Sequence, residues 1–519
     1  MKTVDQKYFD QILDASSITG NKTLNYDVCI IGSGAGGAIA ASVLAKAGAK
    51  VVIVEEGALY TKKDFTMGEG VGFSNLYQDR MNRTTVDRSF LILQGRTVGG
   101  STTVNLGTST RLPRWVFDTW VQKFGFEEFG YEDLEKGFAQ VEERLAIRQV
   151  SRSELNRNNQ ILFNGAEALS WDPEVLSRNA PQCIGLGFCS KGCPVNGRRS
   201  MHLSYLLDAI DHGTMIISQC RVQELVSRKG KISEVRAVAM NNAKYEEAST
   251  HIRILPETVI LAAGAINSPA LLLRSNLLDQ AAVTGKKTYF HPMGVAVGVF
   301  EDPVEPYYGI PQGVSVYRPQ TKASMASFIE ANAVHPRLAA VGTPGYGAEH
   351  RRLLERFPYM SVFTGHLVDS FHPEEGLGGT ISLSREGKIE IRYQFSEVFW
   401  RSMRAMLKDM ARIFFHAGAK EVFTAHERTE FLRSINDIPK IDRLAYGPNH
   451  LLLISTHPLG GCSFGSDPLT SVIRGDLRHW SYENLYIMDG SIFPTSLGVN
   501  PQETIMAFVL TAAKTLAKK

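Results

Sequence analysis

A closely spaced set of glycines near the N-terminus is the first feature that could do chemistry. Gly32, Gly34 and Gly37 have the G-x-G-x-x-G spacing. Such glycines permit a tight turn, let the backbone approach a pyrophosphate and let a helix pack closely on a strand. Glu55 ends a later apolar run and is the expected acceptor for ribose hydroxyls. The set predicts a dinucleotide site, and alone it does not distinguish FAD from NAD.

The elements that must position these glycines are a strand, a helix and a second strand. Residues 26–31 form an apolar run, residues 38–49 have a helical composition, and residues 50–54 form another apolar run. A helix N-terminus directly after the glycine turn would offer free N–H groups and a positive dipole end to phosphate. The order is complete over about 30 residues, which indicates one βαβ unit.

A second glycine-rich segment, residues 95–105, reads GRTVGGSTTVN. It matches at every fixed position the pattern G-R-x-x-G-G-S-[ST]-x-x-N of the glucose–methanol–choline (GMC) flavoprotein oxidoreductases, and the chain resembles this family. In the family this segment lies against the flavin. The resemblance therefore implies that Arg96, Gly100, Ser101 and Asn105 belong to a flavin site, which selects FAD as the dinucleotide.

The resemblance extends from residue 26 to residue 508, nearly the whole chain. It implies that Val222 and Gly264 lie at the cofactor, and that Asp489 and Gly490 lie beside the ribityl chain and pyrophosphate. It also implies that the backbone at Pro501 reaches the flavin ring, where a following helix N-terminus would stabilise the anionic reduced flavin.

The mode of FAD attachment can be predicted from one position. Some family members bind FAD covalently through a histidine just before the position of Asn105. Val104 stands there in this chain, and a valine side chain cannot form such a bond. We therefore predict non-covalent FAD.

Oxidation of an alcohol by a flavin requires a partner for the hydroxyl oxygen, and histidine suits this role near neutral pH. His457 precedes a proline and two glycines and matches the family's active-site histidine, while Asn500 matches its partner position. Both motifs resemble most those of the bacterial cholesterol oxidases. We assign His457 as the base or orienting hydrogen-bond partner and Asn500 as the second hydrogen bond. His291 is a further candidate, for which a structural role in a loop stays equally open.

Three of the six cysteines, Cys183, Cys189 and Cys193, fall in one short segment that ends in Cys-Pro. Structural zinc usually takes four ligands, and no histidine stands close by. A Cys-Pro ending is typical of iron–sulfur ligand runs. The spacing also resembles catalytic subunits of bacterial FAD-dependent sugar dehydrogenases, which hold a [3Fe-4S] cluster. A [3Fe-4S] cluster and a buried turn beside the flavin both stay open.

Composition excludes several classes of protein. The net charge of the 519 residues is only +3, which argues against nucleic acid as a partner. Six cysteines in this length exclude a disulfide scaffold. Residues 1–25 are polar without an apolar export segment, and we predict no transmembrane segment and a cytoplasmic location.

The motifs and the resemblance together predict an α/β fold with a discontinuous organisation. A Rossmann-like FAD-binding domain and an α+β substrate domain built on an antiparallel sheet are expected. The FAD-binding domain is predicted from residues 20–115, 200–290 and 445–519, the substrate domain from residues 116–199 and 291–444, and an N-terminal extension from residues 1–19.

The predicted function is FAD-dependent oxidation of a hydrophobic primary or secondary alcohol, such as a sterol, long-chain or aromatic alcohol, to the carbonyl by hydride transfer to flavin N5. Phe357, Met360 and Phe363 would suit an apolar pocket. The acceptor of the electrons would be oxygen, a quinone or a redox protein. One alternative is a catalytic subunit that passes electrons through an iron–sulfur cluster to a cytochrome or quinone. Another is a non-redox lyase, since hydroxynitrile lyases share this fold.

Overall fold

The computed structural model describes residues 8, 11–241, 245–277, 279–374 and 378–518. The α-helices of this part of the chain are α1 (Ala35–Lys46), α2 (Glu69–Leu76), α3 (Arg114–Phe124), α4 (Tyr131–Leu145), α5 (Arg157–Ala168), α6 (Tyr205–Asp211), α7 (Gly264–Arg274), α8 (Pro336–Gly342), α9 (Gly347–Glu355), α10 (Glu397–His416) and α11 (Gln502–Leu516).

The strands up to residue 261 are β1 (Ile12–Asp14), β2 (Lys22–Ile31), β3 (Val51–Val54), β4 (Phe90–Ile92), β5 (Thr108–Ser109), β6 (Arg148–Gln149), β7 (Pro173–Val175), β8 (Ser177–Arg178), β9 (Met215–Ser218), β10 (Cys220–Arg228), β11 (Lys231–Asn241) and β12 (Glu246–Leu261). The later strands are β13 (Thr288–Tyr289), β14 (Met293–Val299), β15 (Val314–Arg318), β16 (Ser327–Ala331), β17 (Met360–Leu367), β18 (Thr380–Leu383), β19 (Ile389–Arg392), β20 (Glu421–Thr424), β21 (Leu453–Ser455), β22 (Leu459–Gly460) and β23 (Leu485–Ile487).

A first sheet contains the predicted βαβ unit. Its strand order is β1-β9-β3-β2-β12-β11-β10, with β23 paired to β12. The pairs β1-β9, β9-β3, β3-β2, β2-β12 and β12-β23 are parallel. The pairs β12-β11 and β11-β10 are antiparallel. All residues of β3 are buried, as expected for a parallel strand covered on both faces. Helix α1 connects β2 to β3 and packs against α6 and α11.

A second sheet has the order β4-β21-β14-β17-β16-β15-β7, with β20 paired to β14. Its pairs are antiparallel except for β4 with β21. Helix α10 packs on one face of this sheet against β14 and β17. Glycines make this close contact possible, since a Cβ atom at Gly294 or Gly365 would lie 2.6 Å from the sulfur of Met403 or Met406.

The predicted α/β class is confirmed, because a Rossmann-like parallel sheet and a second, largely antiparallel sheet are both present. Two strand pairings differ from the predicted division of the chain into domains. Strands β4 and β21 join the second sheet although they lie in stretches assigned to the FAD-binding domain, and β1, from the expected N-terminal extension, pairs with β9 of the first sheet. The domain boundaries themselves stay a prediction. Within the described residues, every helix is too short or too polar to cross a bilayer.

Candidate active site

One cavity of about 1140 Å³ lies between the carboxyl ends of β2 and β3 and one face of β14 and β17. A crevice at the carboxyl ends of parallel strands is where open α/β sheets bind ligands. Most of the residues predicted from the sequence line it: Gly32, Gly34, Glu55, Gly100, Ser101, Asn105, Val222, Gly264, His457, Asp489, Gly490, Asn500 and Pro501. Gly37 and Arg96 lie outside the lining.

The two glycine-rich segments meet at the N-terminus of α1. Gly32 has a φ of +102°, which only glycine adopts without strain, and Gly34 is the N-cap of α1. Gly34 lies against Gly100, where a Cβ atom would sit 2.8 Å from the Gly34 Cα. No described side chain caps this helix end, so its N–H groups are available to an anion. This cradle of glycines and free N–H groups fits the pyrophosphate of a dinucleotide.

Glu55 closes the first glycine turn. Its carboxylate accepts hydrogen bonds from the backbone N–H and the hydroxyl of Ser33, at 3.0 and 2.6 Å, and from the Gly57 N–H at 2.7 Å. Burial raises the pKa of Glu55, while these three donors favour the charged form. Glu55 therefore stabilises the turn and still borders the cavity at the position expected for a ribose.

Arg96, which lies outside the cavity lining, is held by Glu56. Its Nε pairs with Glu56 Oε1 at 2.8 Å, and Arg221 contacts the same carboxylate oxygen at 2.8 Å. The Arg96 guanidinium also stacks 4.3 Å from the ring centre of Tyr245. Burial alone would favour the neutral acid, but Arg221 and Arg96 lower the pKa of Glu56 to about 2. Arg96 thus fastens the second glycine segment to the end of β3 through Glu56.

Asp489 joins the C-terminal motif to the turn before α7. Its carboxylate accepts hydrogen bonds from the Gly264 N–H at 2.9 Å, the Ser268 hydroxyl at 2.5 Å and the Ser491 N–H at 2.7 Å. Burial raises the pKa of Asp489, although its donors favour ionisation. The predicted pair Asp489 and Gly490 therefore lies at the same wall of the cavity as Gly264.

The other end of the cavity holds both predicted alcohol-binding residues. His457 is buried, and its Nδ1 lies 3.0 Å from the Nδ1 of His291. The Gly498 N–H donates to the other nitrogen of His291, Nε2, at 3.3 Å. Burial lowers the pKa of His291 to about 3 and places the pKa of His457 well below its usual value. Both rings are therefore neutral near neutral pH.

Glu330 and His366, which the sequence did not suggest, stand beside this pair. Glu330 is fully buried on β16, and its Oε2 accepts from Gln312 at 2.5 Å and from Asn500 Nδ2 at 3.4 Å. The same oxygen lies 3.2 Å from His366 Nε2, and the other oxygen has no hydrogen-bond partner among the described residues. The His366 ring stacks 5.3 Å from that of His457. The available signal for Glu330 was an acidic residue between two apolar ones, Ile329 and Ala331.

Alternating residues of β14 and β17 make the apolar wall of the cavity. The lining residues are Met293, Val295 and Val297 on β14 and Met360, Val362, Thr364 and His366 on β17. Phe357, predicted for an apolar pocket together with Met360, also lines the cavity. Phe363, predicted for the same pocket, instead stacks on Phe414 of α10, with 3.9 Å between ring centres. Successive strand residues point to opposite faces, so Met360 and Phe363 cannot share one.

The three clustered cysteines do not form a metal site. Cys183 and Cys189 lie 3.8 and 3.6 Å from the two terminal nitrogens of Arg178, and Cys193 accepts a hydrogen bond from a backbone N–H at 3.2 Å. In the part of the chain that the structure describes, no three Cys, His, Asp or Glu side chains are grouped so that they could hold a metal ion. The predicted [3Fe-4S] cluster therefore has no support in this arrangement.

Comparison with known proteins agrees with this geometry. The GMC oxidoreductase family models match residues 45–293 and 378–508, and an FAD binding domain model matches residues 25–63. The chain is 33% identical over 495 residues to an uncharacterised GMC-type oxidoreductase of Mycobacterium tuberculosis, covering 95% of this chain and 76% of that protein.

A long-chain-alcohol oxidase and a cholesterol oxidase are among the relatives with named activities, and solved structures share the fold. A long-chain-alcohol oxidase of Arabidopsis thaliana is 28% identical over 95% of this chain and 68% of its own length. A cholesterol oxidase of Acinetobacter baumannii is 21% identical over 93% of each chain. The pyridoxine 4-oxidase from Mesorbium loti superposes with a TM-score of 0.71 at 17% identity, covering 95% of this chain and all of that one. The chain belongs to the GMC oxidoreductase family and is an FAD-dependent oxidoreductase that acts on CH–OH donors.

Proposed function

We propose that this enzyme oxidises a hydrophobic primary or secondary alcohol to the corresponding carbonyl compound. One observation carries the proposal: the His457 and Asn500 side chains line the cavity between its glycine-rich end and its apolar wall. A cofactor at the first end and an alkyl group along the second would bring a carbinol carbon to this junction.

FAD would be held by the residues already described. The backbone at Gly34 and Gly100 would receive the pyrophosphate, Glu55 the ribose, and Asp489 with Pro501 the part nearer the flavin. Bound FAD supplies the two-electron acceptor of the reaction. Val104 borders the cavity with an apolar side chain, which supports non-covalent binding. The proposed FAD-binding domain, residues 20–115, 200–290 and 445–519, contains all of these residues.

His457 and Asn500 would bind the hydroxyl oxygen. The structure gives His457 Nε2 no partner among the described residues, while His457 Nδ1 is occupied by His291. Asn500 donates from Nδ2 to Glu330, which turns its Oδ1 away from that carboxylate. One nitrogen and one oxygen are thus left for the two hydrogen-bonding directions of an alcohol.

The apolar wall favours a hydrophobic substrate. The cavity-facing side chains of β14 and β17 other than Thr364 and His366 are Met and Val, and no described lysine or arginine stands among them. Long-chain-alcohol and cholesterol oxidases among the relatives act on alcohols of this kind, which supports a long-chain or sterol substrate. Oxygen is the acceptor that these oxidases suggest.

Anaerobic reduction of the bound flavin tests the proposal. The purified FAD-loaded enzyme is mixed with butanol, dodecanol, hexadecanol, benzyl alcohol, cholesterol and glucose, and the flavin absorbance is followed. We expect bleaching by the hydrophobic alcohols and none by glucose. Absence of bleaching by every alcohol would contradict an oxidation and favour a non-redox use of the fold. Admission of air then separates the acceptors, since an oxidase forms hydrogen peroxide and a dehydrogenase requires a quinone or redox protein.

A further inference from the structure

Two buried histidine rings share a single hydrogen bond at the alcohol end of the cavity. The Nδ1 atoms of His291 and His457 are 3.0 Å apart, and the rings are nearly perpendicular, at 89°. His291 is fully buried and stands outside the cavity lining, whereas His457 lines it. Burial leaves both rings neutral, so each carries one proton and the shared bond contains one of the two.

The position of that proton follows from the other nitrogen of His291. The Gly498 N–H points at His291 Nε2 at 3.3 Å, and a backbone N–H can only donate. His291 Nε2 must therefore carry a lone pair, so the proton of His291 is on Nδ1. This proton is directed at His457 Nδ1, which must accept it. The proton of His457 is then on Nε2, the nitrogen without a partner among the described residues.

We infer that His291 is a positioning residue that holds His457 in the Nε2–H form, so that His457 donates a hydrogen bond to the oxygen of the alcohol. The inference rests on the proposed function for the alcohol, but the form of the ring is a property of the free enzyme. It decides between the two roles open to His457, because a neutral ring with its proton on Nε2 cannot accept another proton there.

The remaining groups complement this assignment. With Asn500 Nδ2 turned to Glu330, its Oδ1 accepts where His457 donates. An alcohol held between them would accept from His457 and direct its own proton toward Asn500. The carboxylate of Glu330 lies next to Asn500 on that side, and one of its oxygens has no partner among the described residues. Glu330 is buried behind Asn500 and does not line the cavity, so its contribution is to fix the orientation of the Asn500 amide.

Nitrogen NMR tests the form of the ring directly. The FAD-loaded enzyme is labelled with 15N at its histidines, and the two ring signals of His457 are assigned by their loss in His457→Gln. Protonated and unprotonated ring nitrogens have well-separated shifts, so the form is read without any substrate. We expect Nε2 protonated and Nδ1 unprotonated. The reverse pattern in the wild-type enzyme would overturn the inference, whatever alcohols the enzyme oxidises.

Three substitutions at His291 extend the test. Asparagine can place an N–H near the Nδ1 position, leucine removes the donor, and aspartate would accept a proton from His457 and reverse its form. We expect the Asn enzyme to keep the wild-type shifts and a kcat within about tenfold. The Leu and Asp enzymes should retain FAD but lose about 10²–10³-fold in kcat, as for loss of an oriented donor. Equal kcat in the Leu and Asn enzymes would contradict the inference. Failure of all enzymes to oxidise alcohols, with the Nε2–H form present, would instead overturn only the proposed function.

Discussion

The two ends of the cavity are built from different parts of the polypeptide. The cavity end proposed for FAD, the cofactor end, is made of backbone at glycine turns, Gly32 to Gly34 and Gly100, which follow strands of a parallel sheet or pack on them. The end proposed for the substrate, the alcohol end, is lined by side chains of β17 and of two loops, including His366, His457 and Asn500, with Glu330 of β16 buried behind Asn500.

Because the two ends are built differently, substitutions in them should impair the enzyme in two different ways. Substitutions at the cofactor end act on the backbone cradle and should lower the amount of FAD bound. Substitutions at the alcohol end act on side chains that touch the substrate and should lower turnover with FAD still in place. Flavin content per protein and kcat, measured on the same sample, are therefore the pair of readouts that can break or sharpen the comparison.

The largest effect is expected from His457→Ala. The variant removes the group that meets the alcohol oxygen, so kcat should fall by about 10²–10⁴-fold. The flavin to protein ratio should stay at the wild-type value, because His457 makes no contact that shapes the glycine cradle. The measurement is the rate of anaerobic flavin bleaching by the best alcohol of the panel.

A buried histidine elsewhere supplies the control for that variant. His426 is also buried, forms a hydrogen bond with Thr424 at 2.7 Å and does not line the cavity. His426→Gln should leave the bleaching rate near that of the wild type. Asn500→Ala should lie between the two, since a neutral hydrogen bond contributes less than an oriented donor. Unchanged turnover in His457→Ala would remove His457 from the mechanism.

The second effect concerns FAD itself. In Gly100→Ala the new Cβ atom would lie 2.8 Å from Gly34, and the residue would keep a φ of +56°, which costs a non-glycine residue about 1–2 kcal/mol. We expect FAD to bind about tenfold or more weakly, because a loss of 1.4 kcal/mol is already tenfold. Flavin released on dilution measures the change.

Gly418→Ala is the matched control for Gly100→Ala. Gly418 also has a positive φ, +91°, but nothing lies within 4 Å of the position of its Cβ atom. It stands between α10 and β20, outside the cavity lining. The control variant should be destabilised by its positive φ but should bind FAD as tightly as the wild type. If both variants lose FAD equally, close packing of the two glycine segments is not what binds the cofactor.

The sequence predicted that Gly32, Gly34 and Glu55 would lie together, and they do line one cavity, because they are close together along the chain. Gly32, Gly34 and Glu55 belong to one βαβ unit, and a local pattern records their geometry. Arg96 shows the limit, since its motif placed it in the flavin site while its side chain pairs with Glu56. No local pattern records which way one side chain turns.

The alcohol end was harder to predict because long-range packing assembles it. Glu330 and His366 come together through the pairing of β16 with β17, at a register that the sequence does not contain. The prediction that Phe363 lines the apolar pocket was wrong, because its side chain packs on α10. Which residues of β17 face the cavity depends on the alternation along the strand, and the presence of an aromatic residue does not reveal it. His291, His457 and the Gly498 N–H also come from three distant parts of the chain, and only the folded protein brings them together.

A third effect is expected on substrate choice. Met360 lies on the cavity face of β17, so the bulkier side chain of Met360→Trp should shorten the apolar end. The ratio of kcat/KM for hexadecanol to that for butanol should fall by about 10–100-fold, the range for loss of one or two apolar contacts. Phe363→Leu, on the opposite face of the same strand, should lower stability and leave this ratio near the wild-type value. Equal ratios in both variants would place the alkyl group elsewhere.

The smallest effect is on stability at the cofactor end and depends on pH. Arg221 and Arg96 hold the pKa of Glu56 at about 2, against about 4.3 in an unfolded chain. Because the folded pKa is the lower one, the carboxylate stabilises the fold fully above about pH 5, and this contribution disappears as the pH falls toward 2. Glu56→Gln should therefore melt a few degrees below the wild type at pH 6, and the gap should narrow between pH 4 and pH 3. If the melting temperatures of the wild type and of Glu56→Gln converge at acid pH, the charge of Glu56 holds the second glycine segment in place. If the difference between the two melting temperatures does not change with pH, the charge does not hold that segment.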